Sequence, residues 1–404
     1  MNWSPQQERA LDRVGKWLRA PCNPPKPFLT LAGYAGTGKT TLAKHLAAGV
    51  QGKVYFAAFT GKAAHVLVKS GIPEASTIHK LIYLPRDKCS ARLTTLKKEL
   101  EETKRRKNHK SEELRELEKK IRDEQKNLSR PDFTLNYDSP LWGASLLVID
   151  EYSMVDEQMG QDLLQFKCPV LALGDPGQLP PISGRQFFSE KPDVMLEEIH
   201  RQAADNPIIR MSKDVREGRA LRPGAYGTSR VVSQSNVSDA ECGALAIAAD
   251  QILVGMNNTR RQFNAYVRGL LGKTGPLPEP GDKIVCKRNN SREELLNGQM
   301  WTVDKSSSKG KMLQIKVNDD DGHRVDCVAH KHRFLGKDQE LSEMDPYLRR
   351  AANEFDFGYA LTVHTAQGSQ WDNVMLLDEW RGSSRKEWLY TGITRAAESV
   401  TIVQ

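Results

Sequence analysis

The sequence predicts an α/β protein of two parallel-sheet halves, the first interrupted by a charged helical arm and the second by a small β-barrel. Three observations predict it. Short apolar runs alternate with helix-like segments towards both ends of the chain; a glycine-rich turn joins the first run to its helix; and residues 86–130 and 280–335 each break the rhythm. Apolar strands alternating with helices are the pattern of a parallel sheet covered on both faces. A chain of 404 residues also exceeds the ~250 at which a single core stops growing. The halves are read as 1–168 and 169–404.

The first half opens on Phe28–Ala32, an apolar run, followed by the turn Gly33-Tyr34-Ala35-Gly36-Thr37-Gly38-Lys39-Thr40 and a helical stretch from Thr41. This is the phosphate-loop pattern G-x-x-x-x-G-K-[ST]. Its glycines let backbone amides turn inward around phosphates, its lysine neutralises the β/γ oxygens, and its threonine holds Mg²⁺. The expected nucleotide contacts are Gly33, Gly36, Thr37, Gly38, Lys39, Thr40 and Thr41, with ATP and Mg²⁺ as ligands. Leu146–Ile149 is a second buried-type strand and ends in Asp150-Glu151. Asp150 suits a Mg²⁺ contact and Glu151 the orientation of an attacking water, while the same pair taken alone also reads as the cap of the next helix.

Residues 86–130 are dense in Lys, Arg and Glu. Leu93, Leu96 and Leu100, and then Leu114, Leu117 and Ile121, recur at three and four residues. That spacing predicts two antiparallel helices zipped by one apolar seam. The competing reading of this arm is a solvated hairpin that only displays charge.

The second half begins with the run Val170–Leu173, which leads into Gly174-Asp175-Pro176-Gly177-Gln178. Short strands at 283–286, 300–303, 313–317 and 324–328, with Asn297-Gly298 and Asp321-Gly322 as turns, predict the barrel. Ala360–Val363 and Val374–Leu377 resume the buried-strand pattern, and Tyr390-Thr391-Gly392-Ile393-Thr394-Arg395 precedes the last strand. Ligands of open α/β sheets sit at such strand ends. Gln178 is a candidate for the γ-phosphate or its water, and Arg201 and Arg395 for stabilising transition-state charge.

Composition bounds the rest. The net charge of +8 favours a polyanionic partner. Six cysteines without a C-x-x-C signal neither zinc nor an iron–sulfur cluster. A polar N-terminus and no apolar run of membrane-spanning length lead to the expectation of a cytoplasmic, membrane-free protein with reduced thiols.

In order, these segments resemble superfamily 1 helicases, most closely the RecD/Dda-type branch that tracks single strands 5′→3′. Ser4-Pro5-Gln6-Gln7 resembles the adenine-reading Q motif, making Gln7 the base contact. Gly33–Thr40 and Asp150-Glu151 are similar to motifs I and II. Phe59-Thr60-Gly61-Lys62 resembles motif Ia and Ser76-Thr77-Ile78-His79 the Ib segment, both facing the single strand. Gly174–Pro181 is similar to motif III, Ile199–Gln202 to motif IV, Ala360–Ser369 to motif V and Tyr390–Arg395 to motif VI.

The resemblance implies two RecA-like P-loop domains with ATP between them. The 280–335 insert stands in the place of the branch's SH3-like barrel, and the arm in the place of its strand-separating pin. It assigns catalysis to Lys39, Glu151, Gln178, Arg201 and Arg395, and DNA contacts to Phe59, Thr60, Lys62, Thr77, His79, Asn257, Asn264, Arg268, Thr362, His364 and Trp371. For Trp371 ordinary packing competes with base stacking.

The chain departs from the branch where the pin reads as helices rather than a β-hairpin. The implied activity is ATP-dependent 5′→3′ translocation and duplex unwinding by a monomer on single-stranded and forked DNA, in replication, repair or recombination, with a protein partner on the arm. A remodelling ATPase that grips single strands without separating them, and a small-molecule kinase, are the other classes weighed.

Overall fold

The computed structural model describes residues 3–19, 26–86, 91–106, 111–129, 132–181, 184–188, 191–198, 206–290 and 292–404. The first half runs through α1 (Pro5–Leu18), β1 (Phe28–Gly33), α2 (Lys39–Ala48), β2 (Val54–Ala58), α3 (Gly61–Lys69), β3 (Ser76–Thr77), α4 (Ile78–Ile82) and β4 (Tyr83–Arg86). Then come the arm helices α5 (Ala91–Arg105) and α6 (Ser111–Ser129), followed by β5 (Asp132–Leu135), β6 (Leu146–Asp150), α7 (Glu157–Leu164), β7 (Val170–Gly174) and β8 (Val194–Leu196). Polar caps start these helices where the backbone leaves its orphan amides. Ser4 and Gln7 form a reciprocal capping box on α1 with Pro5 in its first turn, and Thr60, Thr77 and Asp156 cap α3, α4 and α7.

The first sheet has the order β3-β2-β6-β7-β1-β8, and all its pairings are parallel. One face buries Leu31, Leu42, Val148 and Leu173, and the other Ala57, Ile149, Tyr152 and Ala172. The expected boundary at 168/169 is corrected by this pairing. β7 lies between β6 and β1, and β8 adds to the far side of β1, so the first half extends through Leu196. The run Val170–Leu173 carries no local mark of which sheet it joins; that is decided by long-range pairing.

The second half comprises α8 (Pro207–Arg216), β9 (Gly224–Tyr226), β10 (Ser229–Val232), α9 (Asp239–Ala248), β11 (Gln251–Val254), α10 (Asn257–Leu270), β12 (Lys283–Cys286), β13 (Met300–Lys309), β14 (Met312–Asn318) and β15 (Arg324–His330). It continues through α11 (Asp338–Glu343), α12 (Pro346–Arg350), β16 (Phe355–Phe357), β17 (Ala360–Thr362), β18 (Trp371–Leu377), α13 (Arg385–Ile393) and β19 (Ala396–Val403). Its main sheet has the order β17-β11-β18-β19-β10-β9, parallel except for the edge hairpin β9–β10.

The insert forms a five-stranded antiparallel sheet, β15-β14-β13-β12-β16, around Trp301, Ile315, Val317 and Phe355. Its fifth strand lies outside 280–335: Phe355–Phe357 pairs with Cys286–Ile284 after two short helices. A three-residue strand is too short to show a period, so the sequence concealed it.

Of the six residues expected to form the arm's seam, Leu93 and Ile121 are buried with Leu96 and Leu100 packed against them, while Leu114 and Leu117 are half-buried outside that cluster. It does not spring from the domain directly. β4 and β5 pair in antiparallel register, Tyr83 opposite Leu135 and Arg86 opposite Asp132, making a two-stranded stem beneath the helices. Helix α6 reaches α11 of the second half.

Candidate nucleotide and nucleic-acid sites

The phosphate loop leaves β1 at Gly33, where a Cβ would fall 2.5 Å from Thr37 Oγ1 and 2.9 Å from the Leu196 Cβ. Gly38 takes φ 78° and hands the chain to α2 without a side-chain cap, so the first amides of α2 stay available to an anion. Lys39 Nζ donates to the carbonyls of Gly33 at 2.5 Å and Tyr34 at 3.1 Å, which folds the loop over its own lysine. Gln7 holds the loop from outside. Its Nε2 donates to Thr37 O at 3.1 Å, and its Oε1 accepts from Ser4 N at 3.1 Å. Gln7, the expected adenine contact, is 3% exposed with both ends of its amide engaged, and it orders the loop.

At the end of β6, Asp150 accepts from Thr40 Oγ1 at 3.3 Å and from the Glu151 amide at 2.9 Å. Burial pushes the Asp150 carboxyl up to about 6, the Glu151 charge adds to the rise, and Lys39 opposes it. Glu151 sits in the left-handed region at φ 59° and caps nothing, which removes the helix-cap reading. The donor set fits a divalent cation, since a threonine hydroxyl and two neighbouring buried-side carboxylates carry more negative charge than Lys39 offsets. Among the described residues no group of three or more His, Cys, Asp or Glu could hold a metal. Thr40 and Asp150 match the one or two protein groups that Mg²⁺ takes, its shell being completed by phosphate and water.

The second half reaches this site directly. Tyr390 Oη on α13 donates to Asp175 Oδ2 at 2.6 Å and accepts from the phosphate-loop amide of Ala35 at 3.3 Å. Thr391 Oγ1 accepts from Leu179 N at 3.0 Å, and Gln367 Nε2 donates to Leu179 O at 3.1 Å. Between these contacts, Gln178 Oε1 is buried and has no hydrogen-bond partner among the described residues, an orphaned acceptor that a water or phosphate-bound proton would satisfy. Arg395 follows one turn later on the same segment and is 6% exposed. It donates to Thr391 O, Ser369 O and Thr394 Oγ1, and among the described residues no carboxylate pairs with it. Arg201 lies outside the described residues.

The sequence reading missed three members of this cluster. Asp175 is 1% exposed. Burial raises its carboxyl, while Lys39 and the Tyr390 hydroxyl pull it back. Tyr390 was visible only as part of a motif, and Arg216 of α8, whose guanidinium lies 3.4 Å from the centre of the Tyr34 ring, carried no signal at all.

The other set of predicted residues gathers where α3 and α4 face the second half. Lys62 lies over the Trp371 ring at 4.4 Å. Gly368, at φ 72°, brings the loop after β17 so close that a Cβ would meet Ala63 Cβ at 3.0 Å and Thr60 Oγ1 at 3.1 Å. His79 is ringed by Phe59 at 5.8 Å, Tyr83 at 5.6 Å and Phe133 at 5.6 Å, and burial lowers its pKa, which keeps it neutral near pH 7. Tyr83 and Phe133 belong to the stem of the arm and stack on each other. They escaped the sequence reading because the arm separates them along the chain.

Thr60 and Thr77 spend their hydroxyls as helix caps, Thr362 shares a hydrogen bond with Thr365, and His364 packs edge-on against Trp380 at 5.5 Å. Asn257 is exposed at the start of α10. The readings of Asn264 and Arg268 as DNA contacts are corrected. Asn264 exchanges two hydrogen bonds with the Ala360 backbone, and Arg268 is closed in by Asp282, Glu279 and the carbonyls of Gly275 and Leu277. Both project from the buried face of α10, which a helical period alone does not orient.

Known proteins share this arrangement. The AAA domain family matches residues 15–236, and a UvrD-like helicase C-terminal domain matches residues 357–403. The chain belongs to the superfamily 1 helicases. Within that superfamily it is similar to the ATP-dependent RecD2 DNA helicase of Deinococcus radiodurans, 27% identical over 92% of this chain and 46% of the relative. An uncharacterised protein of Methanocaldococcus jannaschii is 23% identical over 92% of this chain and 36% of its own length. The chain thus spans less than half the length of these curated relatives.

Among solved structures, Bacteroides Pif1 bound to ssDNA superposes with a TM-score of 0.53 at 17% identity, covering 99% of this chain and 92% of that one. The Pif1 helicase from Candida albicans gives 0.52 at 17% identity, over 100% and 94%. These likenesses establish the superfamily's RecA-like P-loop fold. Among the described residues no helix is long and apolar enough to cross a membrane.

Proposed function

We propose that this superfamily 1 chain is an ATP-driven motor that moves 5′→3′ on single-stranded DNA and separates duplex at forks. The observation that carries the proposal is the Tyr390 hydroxyl, shared between Asp175 of the first half and the Ala35 amide of the phosphate loop. A side chain of the second half is thereby placed at the loop itself, which is what a nucleotide-gated cleft requires.

In this reading the amides of the loop and of α2, with Lys39, hold the ATP phosphates. Thr40 and Asp150 would hold Mg²⁺, which when bound would supply positive charge to the phosphates. Glu151 orients and deprotonates the attacking water, and the unsatisfied Gln178 Oε1 takes a hydrogen bond from that water. Arg395, buried and paired with no carboxylate among the described residues, is poised to meet the charge that develops on the transferred phosphoryl, with Arg201 as a second candidate.

Single-stranded DNA lies across Phe59, Thr60, Lys62, Thr77, His79, Asn257, Thr362, His364 and Trp371. Aromatic rings stack bases there at about 1–3 kcal/mol each. Closing and opening of the cleft then alternate the grip of the two halves. The five-stranded insert is read as the SH3-like barrel of the RecD/Dda branch, and the aromatic stem beneath the arm as the strand-separating element. The charged helices above the stem favour a second role, docking of a replication or recombination protein.

The test is strand separation on duplexes with 5′ or 3′ tails, with ATP turnover measured on DNA and RNA. Unwinding of 5′-tailed DNA that disappears in Lys39→Ala is expected. Unwinding from 3′ tails alone overturns the polarity, and single-strand-stimulated turnover without unwinding on any substrate moves the chain to the remodelling class.

A further inference from the structure

Arg216 ends α8, and α8 shares one apolar core with α13 through Met211, Val215, Trp388 and Ile393. The two helices therefore move as one block, carrying Arg216, Tyr390 and Arg395 together. From this block two side chains meet two consecutive residues of the phosphate loop. The Arg216 guanidinium lies 3.4 Å from the centre of the Tyr34 ring, and the Tyr390 hydroxyl accepts from the next amide, Ala35.

The Arg216 side chain is 18% exposed, and among the described residues its nearest acid, Glu217, stands 3.9 Å away, beyond hydrogen-bond reach. A guanidinium face laid on a ring at this distance is a cation–π stack, and desolvation strengthens it. Burial raises the pKa of the Tyr34 phenol, Arg216 opposes the rise, and the charges of Glu197, Asp175 and Glu217 add to it.

We infer that Arg216 is a positioning residue for nucleotide binding, clamping the second half onto the phosphate loop through Tyr34. The inference rests on the ATPase reading above and deepens it. Tyr34 occupies a variable position of the G-x-x-x-x-G-K-[ST] pattern, so the motif chemistry does not demand an aromatic ring there. The ring gives the block a face to press on. The apparent dissociation constant for a nucleotide that needs the closed cleft is its intrinsic value divided by the closed fraction. Loss of the stack lowers that fraction. Arg216 acts through Tyr34 and not on the reacting phosphoryl, so the effect falls on KM and leaves the chemical step nearly intact.

The experiment measures steady-state ATP hydrolysis by the full chain with single-stranded DNA, for wild type, Arg216→Ala, Arg216→Lys, Tyr34→Ala and the Arg216→Ala/Tyr34→Ala double variant, each with its thermal midpoint. Arg216→Ala is expected to raise KM for ATP about tenfold with kcat within about twofold. Arg216→Lys, which keeps the charge and loses the planar stack, is expected to fall between. The double variant is expected to be no worse than the poorer single one, as it must be if both remove one contact.

Unchanged KM in Arg216→Ala, or single losses that multiply in the double variant, overturns the inference. A fall in kcat and KM together with a lowered thermal midpoint in Arg216→Lys as well assigns Arg216 to folding and also overturns it. Absence of hydrolysis by the wild type instead overturns the ATPase reading on which the inference stands.

Discussion

The ammonium of Lys62 lies 4.4 Å from the centre of the Trp371 ring, joining α3 of the first half to β18 of the second. Both residues were expected to meet nucleic acid, and here they meet each other. Burial pushes the Lys62 ammonium down to about 8; Asp320 resists the shift, and Arg395 and Lys69 add to it. Nucleic acid entering this seam must take the lysine from the ring, and it can use only the protonated form.

The affinity for single-stranded DNA is therefore expected to fall as pH rises from 7 to 9, and Lys62→Arg is expected to abolish that dependence. Fluorescence anisotropy titrations at fixed salt read it out, and parallel pH profiles for the two proteins would rule out Lys62 as a contact. The stability contribution has the opposite trend. The folded chain binds fewer protons than the unfolded one between about 8 and 10.5, so folding is favoured progressively across that window.

Asp150 supplies a metal-linked prediction. Burial raises its pKa in the folded protein to about 6, above the ordinary 3.8. The protonated form is favoured by folding, so this contribution is complete below 3.8, is lost as pH rises through 6, and leaves a buried charge at pH 7. Asp150→Asn is expected to stabilise the Mg²⁺-free protein at pH 7 by about 3 kcal/mol while removing ATP turnover. Denaturant unfolding with and without Mg²⁺ checks it. A variant less stable than wild type in the absence of metal would show that the carboxylate is not the strained group.

Tyr390→Phe deletes one hydroxyl that serves two partners. Burial and Asp175 raise the phenol well above its ordinary value, so it acts as a neutral donor. Its loss leaves the buried Asp175 carboxylate short of a hydrogen bond, at about 1–3 kcal/mol. The expected outcome is a lower thermal midpoint together with a loss of about tenfold or more in turnover. Full activity with a normal midpoint would remove the hydroxyl from the coupling between the halves.

Arg268→Ala separates a structural arginine from a nucleic-acid contact. Its Nε faces Asp282, which is fully buried. Truncation strands that carboxylate, and breaking a buried pair of this kind costs about 3–5 kcal/mol. Stability is expected to fall, and the salt dependence of DNA binding measured at low temperature is expected to keep its slope. A slope reduced by about one would restore Arg268 as a phosphate contact.

The phosphate loop, the Asp150-Glu151 pair, the helices of the arm and most strands of the insert were legible because each is a local pattern. Glycines at fixed offsets, an apolar run that ends in acids, and periods of two or three-to-four residues all arise from the geometry of one segment. The partners were not legible. Whether Val170–Gly174 joins the first sheet, whether Phe355–Phe357 completes the insert, which face Asn264 and Arg268 turn inward, and that Arg216 finds Tyr34 are set by contacts between segments far apart in the chain. The sequence by itself determined the chemistry available at each strand end. The tertiary structure alone decided which ends face one another, because burial and long-range pairing choose among segments whose local patterns are equivalent.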